Sequence, residues 1–64
     1  MKFSELDTVI TKKAIPEKGI KKGHRGTVIV AFSKPDEAYD VEFLDDAGNW
    51  VEDEFLPDEL EKYE

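Results

Sequence analysis

The strictest alternation in the chain runs through Ala38-Tyr39-Asp40-Val41-Glu42-Phe43. Tyr39, Val41 and Phe43 fall on one face of an extended segment, and Asp40 and Glu42 fall on the other. This pattern predicts a strand with one face in a core and one in water. Gly26-Thr27-Val28-Ile29-Val30-Ala31-Phe32 is apolar and β-branched on both faces, which predicts a central strand covered on both sides, with Gly26 at a bulge or a tight entry into the sheet. Thr8-Val9-Ile10-Thr11 is β-branched throughout and predicts a first strand continuing toward Ile15, where Pro16 removes a backbone donor. A fourth strand is predicted from Trp50 to Leu56. Val51 and Phe55 share one of its faces, and Trp50, Glu52 and Glu54 share the other, which leaves Trp50 partly exposed.

Turn chemistry separates these segments. Residues 16–23 read as a loop with Gly19 and Gly23 free to take positive φ and with Ile20 as the apolar anchor between them. Ser33 to Glu37 is a turn, and Asp45-Asp46-Ala47-Gly48-Asn49 is a hairpin turn with Gly48 and Asn49 as the positive-φ positions. After Leu56, Pro57 stands at a favoured first-turn position with acids behind it. Leu56, Leu60 and Tyr63 lie at helical spacing, so a short C-terminal helical turn is predicted. Short strands at this spacing favour a small all-β domain over residues 1–64, an SH3-like barrel of four to five antiparallel strands whose closure would remove exposed edges.

Composition narrows the chemistry. The chain has 64 residues and no cysteine, so disulfides and thiolate metal sites are excluded and the fold rests on a thin apolar core. Met1 to Asp7 lacks the long apolar run of a signal peptide, and the longest apolar stretch, Val28 to Phe32, is too short to span a membrane. A cytoplasmic protein with no membrane partner is expected.

Charge is distributed unevenly. Residues 1–34 carry eight basic and three acidic side chains, a net of +5, and residues 35–64 carry one basic and thirteen acidic, a net of −12. The asymmetry marks either an interaction surface or two halves that neutralise each other in the fold.

Gly23-His24-Arg25-Gly26-Thr27-Val28 followed by Tyr39-Asp40-Val41-Glu42-Phe43 looks like the central hairpin of SH3-like barrels. With Asp7-Thr8-Val9, Pro16-Glu17-Lys18-Gly19-Ile20 and Leu56-Pro57, the pattern resembles the small bacterial family catalogued as domain of unknown function 4926, from about Asp7 to Leu60. Members often carry an acid where this chain has His24, and a more apolar fourth strand. The resemblance implies a barrel and an antitoxin or immunity role beside a toxin-like partner. Gly26-Thr27-Val28 and Asp58-Glu59-Leu60 are similar, more distantly, to accessory docking proteins of electron-transfer complexes. Both likenesses are to the fold, which hosts many functions.

Candidate sites follow from charge and aromaticity. An exposed Trp50 rimmed by Asp45, Asp46, Glu52, Asp53 and Glu54 suits a protein-binding surface for a basic or toxin-like partner. The alternative is a nucleic-acid or anion site of the ribosomal KOW type, built from Lys18, Lys21, Lys22 and Arg25 among the early glycines. That site lacks a Walker-type run and has few aromatics for base stacking. The acids around the last hairpin lack EF-hand spacing, so no metal is expected. His24 has no orienting carboxylate in sequence and reads as an exposed loop residue, and neither Ser4 nor Ser33 sits in a nucleophile motif. No enzyme and no cofactor are expected, and the oligomeric state stays open, with a homodimer through a free strand edge as a further reading.

Overall fold

The computed structural model describes residues 1–63. Five strands form one antiparallel sheet: β1 (Thr8–Thr11), β2 (Arg25–Phe32), β3 (Ala38–Leu44), β4 (Trp50–Phe55) and β5 (Leu60–Lys62), in the order β4-β3-β2-β1-β5. The all-β, small barrel-like architecture agrees with the sequence. The sheet stays open, however, with β4 and β5 as its edges, so curvature and side-chain packing enclose the core without a closing ladder of hydrogen bonds.

The core lies on one face. Val9, Val28, Tyr39, Val41, Phe43, Phe55 and Leu60 are fully buried there, with Phe3, Ile15 and Ile20 closing its rim. Strand alternation puts these residues inside. In β3, Tyr39, Val41 and Phe43 point in while Asp40 and Glu42 point out. β2 is central, paired to β1 and β3, but its outer face is only half covered, and a register shift between Val28 and Val30 marks a bulge at Ile29. Gly26 is paired in the ladder itself: a Cβ there would meet Phe43 at 2.7 Å and Val41 at 2.8 Å, so the glycine permits a close approach of core side chains.

Several sequence expectations need correction. β1 ends at Thr11, whose buried hydroxyl turns back to donate to Lys13 O (2.7 Å) and accept from Lys13 N–H (3.1 Å). Ile15 instead makes a separate bridge with Ile20 around a 3₁₀ turn at Pro16–Lys18, which pins the loop to the core, with Gly19 at φ 71°. In the last hairpin only Gly48 takes positive φ (84°); Asn49 does not.

The C-terminal helical turn is confined to a 3₁₀ turn at Pro57–Glu59. From Leu60 the chain is a strand paired to β1, which buries Leu60 and leaves Leu56 and Tyr63 exposed, so these three share no face. The open edge of β1 offers backbone partners that one helical turn could not match.

The N-terminal segment is tied down by the Tyr39 hydroxyl and by the Glu37 carboxylate, whose Oε2 accepts the Lys2 N–H (2.9 Å). Tyr39 Oη accepts the backbone N–H groups of Lys2 and Phe3, each at 3.0 Å, and donates to Glu37 Oε2, while the Phe3 ring packs edge-on against Tyr39 at 5.2 Å. Burial raises the Tyr39 hydroxyl above its usual range, with the Glu37 carboxylate adding to it, and that same bond holds the Glu37 carboxyl below the usual carboxylate range.

Candidate functional site

The hairpin β3–β4 gives the sheet a polar outer face. Its register places Leu44 opposite Trp50, Glu42 opposite Glu52 and Asp40 opposite Glu54, all pointing away from the core. Trp50 is 64% exposed and Leu44 47% exposed, so the indole stands in solvent as the alternation of β4 predicts. Two like-charged pairs therefore sit directly across from each other, an arrangement that destabilises a sheet. The ion pairs among the described residues are Lys13–Glu59, Lys18–Asp53, Lys21–Asp46 and Lys62–Asp7, and none involves Asp40, Glu42, Glu52 or Glu54.

A cleft of ≈ 470 Å³ opens on this face. Trp50, Leu44 and Glu42 line it from β4 and β3, Thr27 and Arg25 from β2, and Tyr63 from the residue after β5. The Arg25 guanidinium lies 4.9 Å from the centre of the Tyr63 ring. Two exposed aromatics and an arginine, residue types enriched at protein contacts, thus line one concave surface together with a glutamate.

The sequence-derived acidic set divides in the structure. Trp50, Glu52 and Glu54 share the outer face; Asp45, Asp46 and Asp53 do not join them. Asp45 is a turn residue, its Oδ1 accepting the N–H groups of Ala47 (3.0 Å) and Asn49 (2.8 Å). Asp46 pairs with Lys21 at 2.8 Å; the hydrogen bond and the charge of Lys21 hold the Asp46 carboxyl down, and Asp46 in turn raises the Lys21 ammonium. Asp53 points to the core side of β4, 3.7 Å from Lys18. Glu42, Leu44 and Tyr63 belong to the cleft without having been singled out in the sequence. The alternation of β3 carried the signal for Glu42, whereas Tyr63 arrives only through the pairing of β5.

The basic set divides as well. Lys18 and Lys21 are engaged with the acidic hairpin, Arg25 is stacked on Tyr63, and Lys22 remains exposed on the loop. The two halves of the chain thus interleave at the loop–hairpin contact and neutralise each other there. A second cleft, of ≈ 520 Å³, lies at that contact, lined by Ala14, Pro16 and Ile20 with Lys21 and Asp46. No group of three or more metal-ligating side chains occurs among the described residues.

His24 is half-buried, which corrects its reading as an exposed loop residue. Its Nδ1 accepts the Lys21 N–H (3.3 Å), its Nε2 lies 2.8 Å from Leu44 O, and its ring packs edge-on against Phe43 at 5.4 Å. These partners suit the tautomer protonated at Nε2, and they fasten the loop to the end of β3.

The free edge of β4 is partly occupied. Asp45 N–H donates to Asn49 O where the hairpin closes. By the alternation of an antiparallel ladder, Val51, Asp53 and Phe55 then turn their backbone groups toward β3, and Glu52 and Glu54 turn theirs outward. Lys18 Nζ donates to Glu52 O (2.9 Å) and Glu54 N–H donates to Asp53 Oδ1 (2.8 Å), so local side chains occupy groups that another strand would need.

No helix among the described residues is long and apolar enough to cross a membrane. No curated protein and no solved structure matches the chain. Residues 5–60, which take in all of β1 to β4 and the start of β5, match the family model described as Domain of unknown function (DUF4926), and the chain belongs to that family.

Proposed function

We propose that this chain is a non-catalytic protein-binding module whose docking surface is the outer face of β3 and β4. One observation carries the reading: an exposed Trp50 stands beside two facing acid pairs whose carboxylates form no ion pair among the described residues. Buried at an interface, an indole supplies a large share of binding energy, and uncompensated carboxylates select an oppositely charged partner and speed its encounter. A basic protein of the toxin type, neutralised by this face, or a larger assembly to which the module docks as an accessory subunit, both fit this chemistry. The nucleic-acid alternative loses support because Lys18 and Lys21 are held by Asp53 and Asp46, leaving Lys22 and Arg25 as a sparse cationic patch.

The test is co-purification from the native cell with the wild-type chain and with Trp50→Ala in parallel. A protein retained by the wild type and lost from the folded variant supports the reading. Equal retention by both, or recovery of nucleic acid in place of protein, refutes it.

A further inference from the structure

The geometry of the outer face also specifies what kind of segment it takes. We infer that it binds a short extended stretch of a partner protein carrying an apolar residue and two lysines or arginines at alternate positions; this rests on the protein-binding reading above. Leu44 with Trp50, Glu42 with Glu52, and Asp40 with Glu54 form three successive rows across β3 and β4, two residues apart. Strands rise 3.3–3.4 Å per residue, so the rows are roughly 7 Å apart, the same interval that separates alternate side chains of an extended peptide. A segment laid along the hairpin therefore sets its apolar residue against Trp50 and Leu44, its next inward side chain over Glu42 and Glu52, and the following one over Asp40 and Glu54.

Charge identifies the occupant. Neither carboxylate pair is engaged in an ion pair among the described residues, and an incoming ammonium or guanidinium relieves both members at once. A lysine or arginine stem also lies favourably along an indole face. A second copy of the chain is a poor occupant, since face-to-face contact would set these acids against the same acids. Strand addition at the β4 edge is disfavoured for a different reason: Glu52 O and Glu54 N–H already have partners. The segment therefore lies on the face, where its side chains make the contacts.

Trp50 is the sole tryptophan, so its emission reports the site directly. The probes are acetylated, amidated pentapeptides of one leucine, two lysines and two glycines. In one the leucine and lysines occupy positions one, three and five, a second has the reverse order, and a third has the lysines adjacent. One alternating peptide is expected to shift Trp50 emission saturably and to bind roughly fivefold more tightly than the adjacent-lysine peptide, since exposed charge pairs are individually weak. The preference is expected to vanish in Glu52→Gln/Glu54→Gln and to weaken as salt is raised.

Equal binding of all three peptides overturns the alternate-position inference while leaving the protein-binding reading intact. So does a complete lack of response, since that reading stands or falls separately on the native-cell comparison. A Trp50 shift produced by protein concentration alone overturns the inference in favour of self-association.

Discussion

Gly26→Ala puts the packing of the sheet to a quantitative test. Gly26 has an ordinary strand conformation, so alanine there meets no backbone penalty and should gain about 0.4–1 kcal/mol from restricting the unfolded chain. The added Cβ, however, would lie 2.7 Å from two Phe43 ring carbons and 2.8 Å from a Val41 methyl, both in side chains with no solvent exposure. Restoring ordinary contact near 3.4 Å requires the ring to retreat by about 0.7 Å into a core already filled by Phe55 and Tyr39. Overpacking of this kind costs about 1–3 kcal/mol, and because a ring with no free space must move by most of an ångström the cost falls in the upper half of that range, for a net loss of about 1–2.5 kcal/mol.

A domain of this size has a total stability of about 3–10 kcal/mol, and each kcal/mol shifts Tm by about 4–8 °C. Thermal and urea unfolding should therefore show Gly26→Ala melting roughly 5–15 °C below the wild type. Phe43→Leu should partly rescue it, giving a double variant less destabilised than the sum of the two single changes. A Gly26→Ala protein as stable as the wild type would refute the packing described for β2 and β3.

Two further perturbations probe the N-terminal anchor. Tyr39→Phe leaves the buried Phe3 N–H without its acceptor and should cost about 1–3 kcal/mol in urea unfolding, with faster hydrogen exchange at Phe3. The pH dependence has two limbs. Glu37, held low by Tyr39, contributes stability above the ordinary carboxylate range that is lost as pH falls through its lowered value; Tyr39, held high, contributes stability below the ordinary tyrosine range that is lost as pH rises through its raised value. Melting curves across pH should show both, and Glu37→Gln should reduce the acid limb to the part that Asp46, held down by Lys21, still supplies.

Much of the fold was legible because strand alternation is a local signal. Tyr39, Val41 and Phe43 are buried and Trp50 is exposed, each as its neighbours in sequence imply. What the sequence concealed depends on distant partners. Leu60-Glu61-Lys62 carries no strand signal of its own and becomes β5 only because β1 offers an open edge. Leu6 takes a left-handed φ of 74° at the third position of a turn closed by Asp7 N–H on Ser4 O, and its own N–H reaches Val28 O, a distant partner invisible in a Glu5-Leu6-Asp7 run.

The candidate site divided for the same reason. Asp46 and Asp53 look like Glu52 and Glu54 in sequence, but a distant upstream loop brings Lys21 and Lys18 to them and leaves the outer-face acids without an ion pair. Parity along β4 distinguishes Asp53 from Glu52 and Glu54, whereas Asp46 is distinguished only by the arrival of the loop.

Glu52→Lys tests the functional account most directly. The change converts a facing Glu42–Glu52 repulsion into an attraction and leaves the Glu52 carbonyl free to keep its Lys18 contact. If the outer face is maintained for binding at a cost in stability, the variant should unfold at an equal or higher free energy, by up to about 1 kcal/mol, while losing both the alternating basic peptide and the cellular partner. A less stable variant that still binds both would contradict the account, because the acid pairs would then serve the fold and not the partner.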